Sequence, residues 1–248
     1  MKARIGITGS SGFIGKNLAR VLEGGGHAVN YFNLSDNNLL KPNPALLKKF
    51  IRESDIIIHT AAVNRGTDTE IISGSVVTTY NLIDGLVKNK VGAKIIFLSS
   101  IHAESDNVYG RSKKLAEVML EDFSRRHNNP VTVFRLPNVF GEGGKPFYNS
   151  VVHTFCYQVA NGQRPNIIID QKIKLIHIDD LIKLIVKEVA VTREKLFYSK
   201  TIVAKNEIVV SDLLKLIRSF RKIKSLSKLS NKFHRNLYTT YLYIKNHE

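Results

Sequence analysis

The 248-residue sequence has one cysteine, Cys156, and no tryptophan. A single thiol excludes an internal disulfide and fits a reducing cytoplasm. No apolar run approaches the ~18 residues that suggest a membrane span, so no membrane partner is expected. The opening MKARIGITGS lacks the apolar core and small-residue cleavage site of a signal peptide; it reads as a strand entering a turn. No cluster of His and carboxylates has metal-ligand spacing, so no metal is expected. Acidic residues are few, 21 against 37 Lys and Arg, which leaves a formal net charge of +16. Nucleic acid is one partner for so basic a chain. Yet the cations are dispersed, densest only in RSFRKIKSLSKLSNKFHR (218–235), and no zinc-finger, RRM or helix-turn-helix signature accompanies them. Solvated faces, or attraction of an anionic phosphate-bearing substrate, account for the charge without nucleic acid.

What is present is alternation. RIGIT (4–8), HAVNYF (27–32), DIIIHTA (55–61), AKIIFLSS (93–100) and VTVFRL (131–136) read as strands. Helical periodicity fills 13–24, 44–53, 69–89 and 109–127 between them. Strand–helix alternation with continuous Ile/Val/Phe runs implies an α/β fold: a Rossmann-like, doubly wound parallel sheet with helices on both faces. The chain is long enough to bury such a core. After residue 140 the regularity loosens, and a smaller C-terminal substrate-binding part is expected. GEGGKPFYNS (141–150) is a loop and 150–161 a helix. KLIHIDDLIKLIVKEVA (174–190) is a short strand entering a helix near Asp179 or Asp180. Leu213, Leu214, Leu216, Ile217 and Phe220 keep helical spacing, so the basic tail is expected to fold. The division expected is one domain over 1–248, with a dinucleotide-binding core mainly in 1–140 and a nucleotide-sugar part mainly in 141–248.

RIGITGSSGFIGKNLARVL (4–22) places Gly9, Gly12 and Gly15 directly after the first strand and at the opening of a helix, the context that makes a glycine motif credible. Gly9 permits the tight turn, Gly12 the approach of a pyrophosphate, and Gly15 close packing of helix on strand. Ser11, Gly12, Phe13 and Ile14 then present the helix N-terminus to the anion. At the end of the second strand NAD-selective sites carry an acidic residue. Asn33 stands there instead. Its neutral side chain does not repel a 2′-phosphate, although no Arg follows to attract one, and NADPH is expected ahead of NADH. Further on, Tyr109 and Lys113 share a helix face four residues apart. That spacing alone is as often an ordinary surface pair.

The Thr-Gly-x-x-Gly-x-x-Gly spacing from Thr8 resembles the extended branch of the short-chain dehydrogenase/reductase superfamily (the NAD-dependent epimerase/dehydratase family), and further segments follow in that superfamily's order. HTAAVNR (59–65) resembles the loop after its fourth strand, which implies that Ala61, Ala62 and Val63 line the cofactor. FLSS (97–100) resembles the end of its fifth strand, with Ser100 rather than Ser99 as the catalytic hydroxyl. Tyr109 and Lys113 match its Tyr-x-x-x-Lys pair. RLPNVFG (135–141) resembles the segment over the nicotinamide, with Pro137 and Asn138 at the cofactor and Asn138 also at the substrate. The resemblance implies that Tyr109 gives a proton to a nascent alkoxide, that Ser100 polarises the same oxygen, and that Lys113, together with the positive nicotinamide, lowers the tyrosine pKa and also holds the ribose. One departure is Ser75, which stands where the family carries a helix-opening Asn; Asn81 is too far along to replace it.

HTAAVNRG (59–66), SDNVYGRSK (105–113), KPFYNSVVHTFCYQVANG (145–162) and LSKLSNKFHRNLYTTYL (226–242) are similar to reductases of the capsule and lipopolysaccharide pathways for N-acetyl-L-fucosamine and related L-sugars. That implies an NADPH-dependent 4-ketoreductase acting on a UDP-2-acetamido-2,6-dideoxy-4-keto-L-hexose. Lys145, Asn149 and Arg164 are then the substrate-binding candidates. His153 is a weaker one, because a helical histidine is more often packed or on the surface. Ile101 and His102, where a dehydratase carries Asp-Glu, argue against dehydration. An NAD-dependent 4-epimerase and a catalytically inactive NADP-binding protein use the same motifs and stay open. The family also implies a homodimer through 69–89 and 109–127. The relatives that the chain resembles continue into a cupin domain with C3-epimerase activity; the reductase half alone is expected here, with the epimerase on a separate chain or the gene a degraded remnant.

Overall fold

The computed structural model describes residues 3–33, 38–223, 225–229 and 231–247. The chain starts with β1 (Arg4–Thr8), α1 (Phe13–Gly24), β2 (Ala28–Phe32), α2 (Pro44–Arg52) and β3 (Ile56–His59). Next come α3 (Asp68–Ile72), a π turn (Ser73–Val77), α4 (Thr78–Asn89), β4 (Lys94–Ser100) and a 3-10 turn (Ile101–Glu104). Then follow α5 (Val108–His127), β5 (Val131–Leu136), β6 (Asn138–Phe140), α6 (Val151–Ala160) and β7 (Lys172–His177). The last elements are α7 (Ile178–Val189), β8 (Phe197–Thr201), β9 (Asn206–Val209), α8 (Val210–Ser219) and α9 (Lys232–His247). They group into two compact units, Met1–Leu136 with Leu184–Ile202, and Pro137–Lys183 with Val203–Glu248. No helix among the described residues is long and apolar enough to cross a membrane.

The first unit holds a six-stranded sheet in the order β2-β1-β3-β4-β5-β8, every pair parallel. Successive strand side chains point to opposite faces. Ile57, Ile95, Phe97, Val131 and Val133 therefore share one face, and there they pack with Leu47, Phe50 and Ile51 of α2, Leu82 and Leu86 of α4, and Ala116, Leu120 and Phe123 of α5. Ile5, Ile7, Ile56, Ile58 and Ile96 point the other way and are equally buried, as are Leu18 and Leu22 of α1. The helices begin where the sequence supplies caps. Asn43 accepts from the amides of Ala45 and Leu46, with Pro44 opening α2. Thr67 and Glu70 form a reciprocal capping box at α3. Asn107 accepts from Gly110 N at 2.8 Å to start α5.

The helical expectation over 69–89 resolves into α3, the π turn and α4, because hydrophobic periodicity does not register one extra residue in a turn. The family's fourth and fifth strands are the third and fourth here, since the described residues between β2 and β3 form only a helix. The sixth strand, β8, was not legible: FYSKT is an exposed edge with little buried alternation. The sheet reverses direction of growth between β1 and β3, so the loops after those strands meet at the switch point where ligands of such sheets bind.

The second unit holds a three-stranded sheet, β6-β7-β9, with β6/β7 parallel and β7/β9 antiparallel. Its core joins Phe140, Phe155, Cys156 and Val159 to Leu213, Leu214, Ile217 and Phe220 of the tail and to Leu237, Tyr241 and Ile244 of α9. The spacing in the tail is thus a buried helix face.

Behind β4 and β5, Glu117 of α5 is buried, with 4% of its surface exposed. Arg135 grips it with two bonds, Nε to Oε1 at 2.9 Å and Nη2 to Oε2 at 2.6 Å, and reaches Glu104 at 2.6 Å. Ser99 donates to Glu117 at 2.5 Å. Removing one partner of a buried pair leaves an uncompensated charge, which costs about 3–5 kcal/mol. Arg135→Met is expected to lose about that much in urea unfolding, whereas Arg135→Met with Glu117→Leu recovers most of it. Equal loss in single and double variants would show that the pair is not the source.

Candidate functional site

The loop after β1 is built for close approach. Gly9 has φ +73°, and a Cβ there would lie 2.9 Å from the backbone of Ala61. A Cβ on Gly15 would lie 2.3 Å from Gly9 O, so only glycine lets α1 start against its own turn. Gly12 precedes the first residue of α1 in extended conformation. Thr60 fastens the loop after β3 to the glycine turn, donating to Thr8 O at 2.7 Å. Gly9 N donates to Phe32 O at the end of β2. Gly9, Ser11, Gly12, Phe13, Ile14, Asn33 and Ala61 therefore belong to one backbone cradle at the switch point. A Cβ on Gly74 would lie 2.4 Å from Val63 Cβ, which sets the π turn directly against the Ala61–Val63 loop.

Beside it, Ser100 closes β4 and Tyr109 stands in the first turn of α5. The Ser100 hydroxyl is close enough to act on the Tyr109 phenol, and it also accepts from His102 N at 3.2 Å. Ser99, one residue earlier, turns to Glu117 instead. Gly110 makes the Ser100–Tyr109 contact possible. A Cβ there would lie 2.2 Å from His102 O and 2.5 Å from Ser105 O, so the helix start rests on the preceding turn without clearance. Lys113, one turn further along α5, is 3% exposed. Its Nζ donates to Leu98 O at 3.2 Å and lies 4.9 Å from the Phe97 ring centre.

Burial pushes the Lys113 ammonium down to about 8, and Glu117 opposes that shift. Burial also raises the Tyr109 phenol, while the Ser100 hydrogen bond acts against the rise. In this structure the ammonium serves Leu98 O and Phe97, and burial is the larger influence on the phenol.

A buried chain of polar groups underlies the site. Thr8 Oγ1 lies 2.7 Å from His59 Nδ1, and His59 Nε2 lies 3.1 Å from Thr79 Oγ1, which donates to Ser75 O at 2.7 Å. Because Thr79 spends its proton on Ser75, it accepts from His59 Nε2–H, and Thr8 then donates to Nδ1. His59 is thereby a neutral imidazole with both nitrogens used. Burial first, and the Lys113 charge second, bring its pKa down to about 3. Ser75 lies in the π turn, 1% exposed, and its Oγ has no hydrogen-bond partner. Asn81 is occupied elsewhere, donating to Leu39 O at 2.6 Å. His59, Thr79 and Gly110 carry no motif of their own, although His59 and Gly110 lie inside stretches already singled out.

Residues 5–195 match the sequence profile of the NAD dependent epimerase/dehydratase family. The chain belongs to that family. Over 244 residues, 95% of the chain, it is 34% identical to the UDP-2-acetamido-2,6-beta-L-arabino-hexul-4-ose reductase of Pseudomonas aeruginosa, and it spans 63% of that relative's length. The capsular polysaccharide assembling protein CapF of Staphylococcus aureus is 30% identical, with a TM-score of 0.78 over 97% of this chain and 65% of that one. The UDP-glucose 4-epimerase of Thermotoga maritima is alike in fold, with a TM-score of 0.83 at 18% identity over 98% of this chain and 99% of that one. The fold is thus the Rossmann type that binds a nicotinamide dinucleotide. The glycine cradle and the unpartnered Ser75 hydroxyl fit such a group.

The other candidates of this family member lie in the second unit. Pro137 is buried directly after β5, and Asn138 is exposed, donating to Lys174 O at 3.2 Å. Lys145 and Asn149 are exposed in the loop before α6, and Arg164 is exposed beyond its other end. Ten helical residues, about 15 Å, separate Lys145 and Asn149 from Arg164 along the chain. His153 is packed rather than free, its Nε2 2.7 Å from Gly141 O. Among the described residues no group of His, Cys, Asp and Glu could hold a metal ion.

The depressed His59 pKa fixes a pH effect on stability. The unfolded chain binds this proton below ~6.5 and the folded chain only below about 3, so stability is full above ~6.5 and falls as pH drops. From pH 7 to pH 5 the loss from this group is about 2 kcal/mol. Urea unfolding over that range measures it, and His59→Gln is expected to flatten the slope. An unchanged slope would assign the acid sensitivity elsewhere.

Proposed function

We propose that this chain is an NADPH-dependent 4-ketoreductase for a UDP-2-acetamido-2,6-dideoxy-4-keto-L-hexose, on the route to N-acetyl-L-fucosamine or a related L-sugar of capsule or lipopolysaccharide. The observation that carries it is the grouping of Ser100 at the end of β4 with Tyr109 and the buried Lys113 of α5, next to the glycine cradle. The named activity of the Pseudomonas relative supports the substrate class. Bound in the cradle, NADPH supplies the reducing equivalent.

The protein's own residues do the rest. Tyr109 donates its phenolic proton to O4 of the sugar as negative charge develops there. Burial keeps it a phenol at neutral pH, the form that reduction requires. Ser100 donates to the same oxygen and fixes its position. Lys113 is predominantly an ammonium at pH 7 and directs its charge at the ribose hydroxyls and at the path by which Tyr109 regains a proton. Gly9, Ser11, Gly12, Phe13 and Ile14 hold the pyrophosphate, Ala61, Ala62, Val63, Ser75, Pro137 and Asn138 line the cofactor, and Lys145, Asn149 and Arg164 serve the UDP-sugar.

Absorbance at 340 nm with NADPH and the 4-keto sugar made in situ tests this reading. Tyr109→Phe is expected to lose about 10²-fold or more in kcat while NADPH binding changes little. The wild-type rate is expected to fall above about pH 8, as Lys113 loses its proton. Turnover that survives in Tyr109→Phe would remove the assignment, and sugar-dependent interconversion without net NADPH oxidation would point to the epimerase instead.

The pairing proposed is a homodimer. Val77, Tyr80 and Val87 along the π turn and α4, and Leu115 and Val118 on α5, are large apolar side chains left exposed in the first unit. Leu115→Glu is expected to halve the mass seen by light scattering with unchanged circular dichroism. A mass unaffected by the charge would exclude this face.

A further inference from the structure

The absence of an Arg after Asn33 is made good from another element. A shallow depression of about 580 Å³ is lined by Ser10 and Ser11 of the glycine turn, Lys16, Ala19, Arg20, Glu23 and Gly24 of α1, and Tyr31 and Asn33 at the end of β2. Lys16 and Arg20 are four residues apart and share one face of α1. Both are exposed, and among the described residues neither is in a salt bridge. Arg20 makes one long bond, to the neutral Asn17 Oδ1 at 3.4 Å. Ser10 Oγ donates to Asn33 Oδ1 at 2.5 Å, which turns the amide so that its NH₂ remains as a donor. Glu23 is the one carboxylate among the described lining residues, and it accepts a hydrogen bond from the Tyr31 hydroxyl. Among the described lining residues two cations stand against one carboxylate. Tyr31 adds no negative charge, because burial and Glu23 hold its phenol up at about 12.

The place is informative. It lies between the glycine turn and the end of β2, where dinucleotide folds receive the adenosine ribose. A 2′-hydroxyl calls for an acceptor, usually a carboxylate. A 2′-phosphate calls for donors and positive charge, and Asn33 NH₂, Ser11 Oγ, Lys16 Nζ and Arg20 supply both.

We propose that Lys16 and Arg20 of α1, with Asn33 and Ser11, form a 2′-phosphate site that sets the preference for NADPH over NADH. This rests on the reading of the cradle as a dinucleotide site. Arg20 takes the phosphate as a fork, and Lys16 adds a point charge one turn closer to the pyrophosphate.

Binding, rather than turnover, separates this proposal from the activity. Affinities for NADPH, NADH, 2′,5′-ADP and 5′-AMP would be measured by calorimetry on wild type, Lys16→Ala, Arg20→Ala and the double variant. Wild type is expected to bind 2′,5′-ADP at least about tenfold tighter than 5′-AMP, the factor that one charge-assisted bond supplies. The double variant is expected to lose that advantage and to weaken for NADPH by about tenfold or more, with NADH within about twofold. NADPH affinity should also fall more steeply with added salt than NADH affinity. Equal weakening for both dinucleotides would overturn the proposal, because the cations would then serve the pyrophosphate or the fold. So would a wild type that binds NADH as tightly as NADPH while Tyr109-dependent reduction persists, an outcome that leaves the reductase reading intact. Failure to bind either dinucleotide would instead sink the reading of the cradle itself.

Discussion

Lys113 carries a charge into a place almost without water, and much of the first unit is arranged around that fact. An isolated buried ammonium is costly and tends to shed its proton. Here it keeps its proton at neutral pH because Leu98 O accepts from it, the Phe97 ring lies beneath it, and Glu117 sits one helical turn along α5. Glu117 in turn needs its own support, and receives it from Ser99 and Arg135. The strand end that presents Ser100 to Tyr109 thus presents Ser99 to the carboxylate that helps hold the lysine. Alternation along β4 assigns the two serines to different tasks.

The same charge explains His59. A histidine on the third strand, beside an ammonium and sealed from water, can only be neutral. Neutrality makes it useful as a connector, because it accepts at one nitrogen and donates at the other. Through it the glycine turn after β1 is coupled to the π turn that carries Ser75. Ser75 offers a short hydroxyl with nothing to bond, in a turn widened by one residue. A π turn displaces the helix that follows it, and such turns gather at functional sites. The expanded turn and the unpartnered hydroxyl occur at one position.

Five of the six strands of the large sheet and the helical stretches between them were legible because their signals are local: apolar runs, caps and glycines at fixed offsets. RIGIT followed by three spaced glycines needs no tertiary information to be read. The order of Ser100, Tyr109 and Lys113 along the chain was legible for the same reason. What escaped depends on contacts between distant residues. Gly110 looks like any helical glycine until the carbonyls of His102 and Ser105 are found where a Cβ would stand. Lys16 and Arg20 look like solvated helix charges until α1 brings them into the depression beside Asn33. β8 has no buried face to reveal it, and α9 shows its core face only once Leu237, Tyr241 and Ile244 meet α6 and α8.

Burial moves the two titrating groups of the site in opposite senses, and this bears on direction. The Tyr109 phenol rises above its ordinary 10, and the Lys113 ammonium descends to about 8. The lysine therefore titrates first, so a phenolate–ammonium pair is not the resting state near neutrality. An oxidising enzyme needs the tyrosine as a base and gains from a depressed phenol. A reductase needs a proton donor whose charge is unwelcome until the substrate oxygen arrives to take the proton. Both shifts follow from one cause: Val108–His127 lays its first two turns against the end of β4 and leaves water little room there.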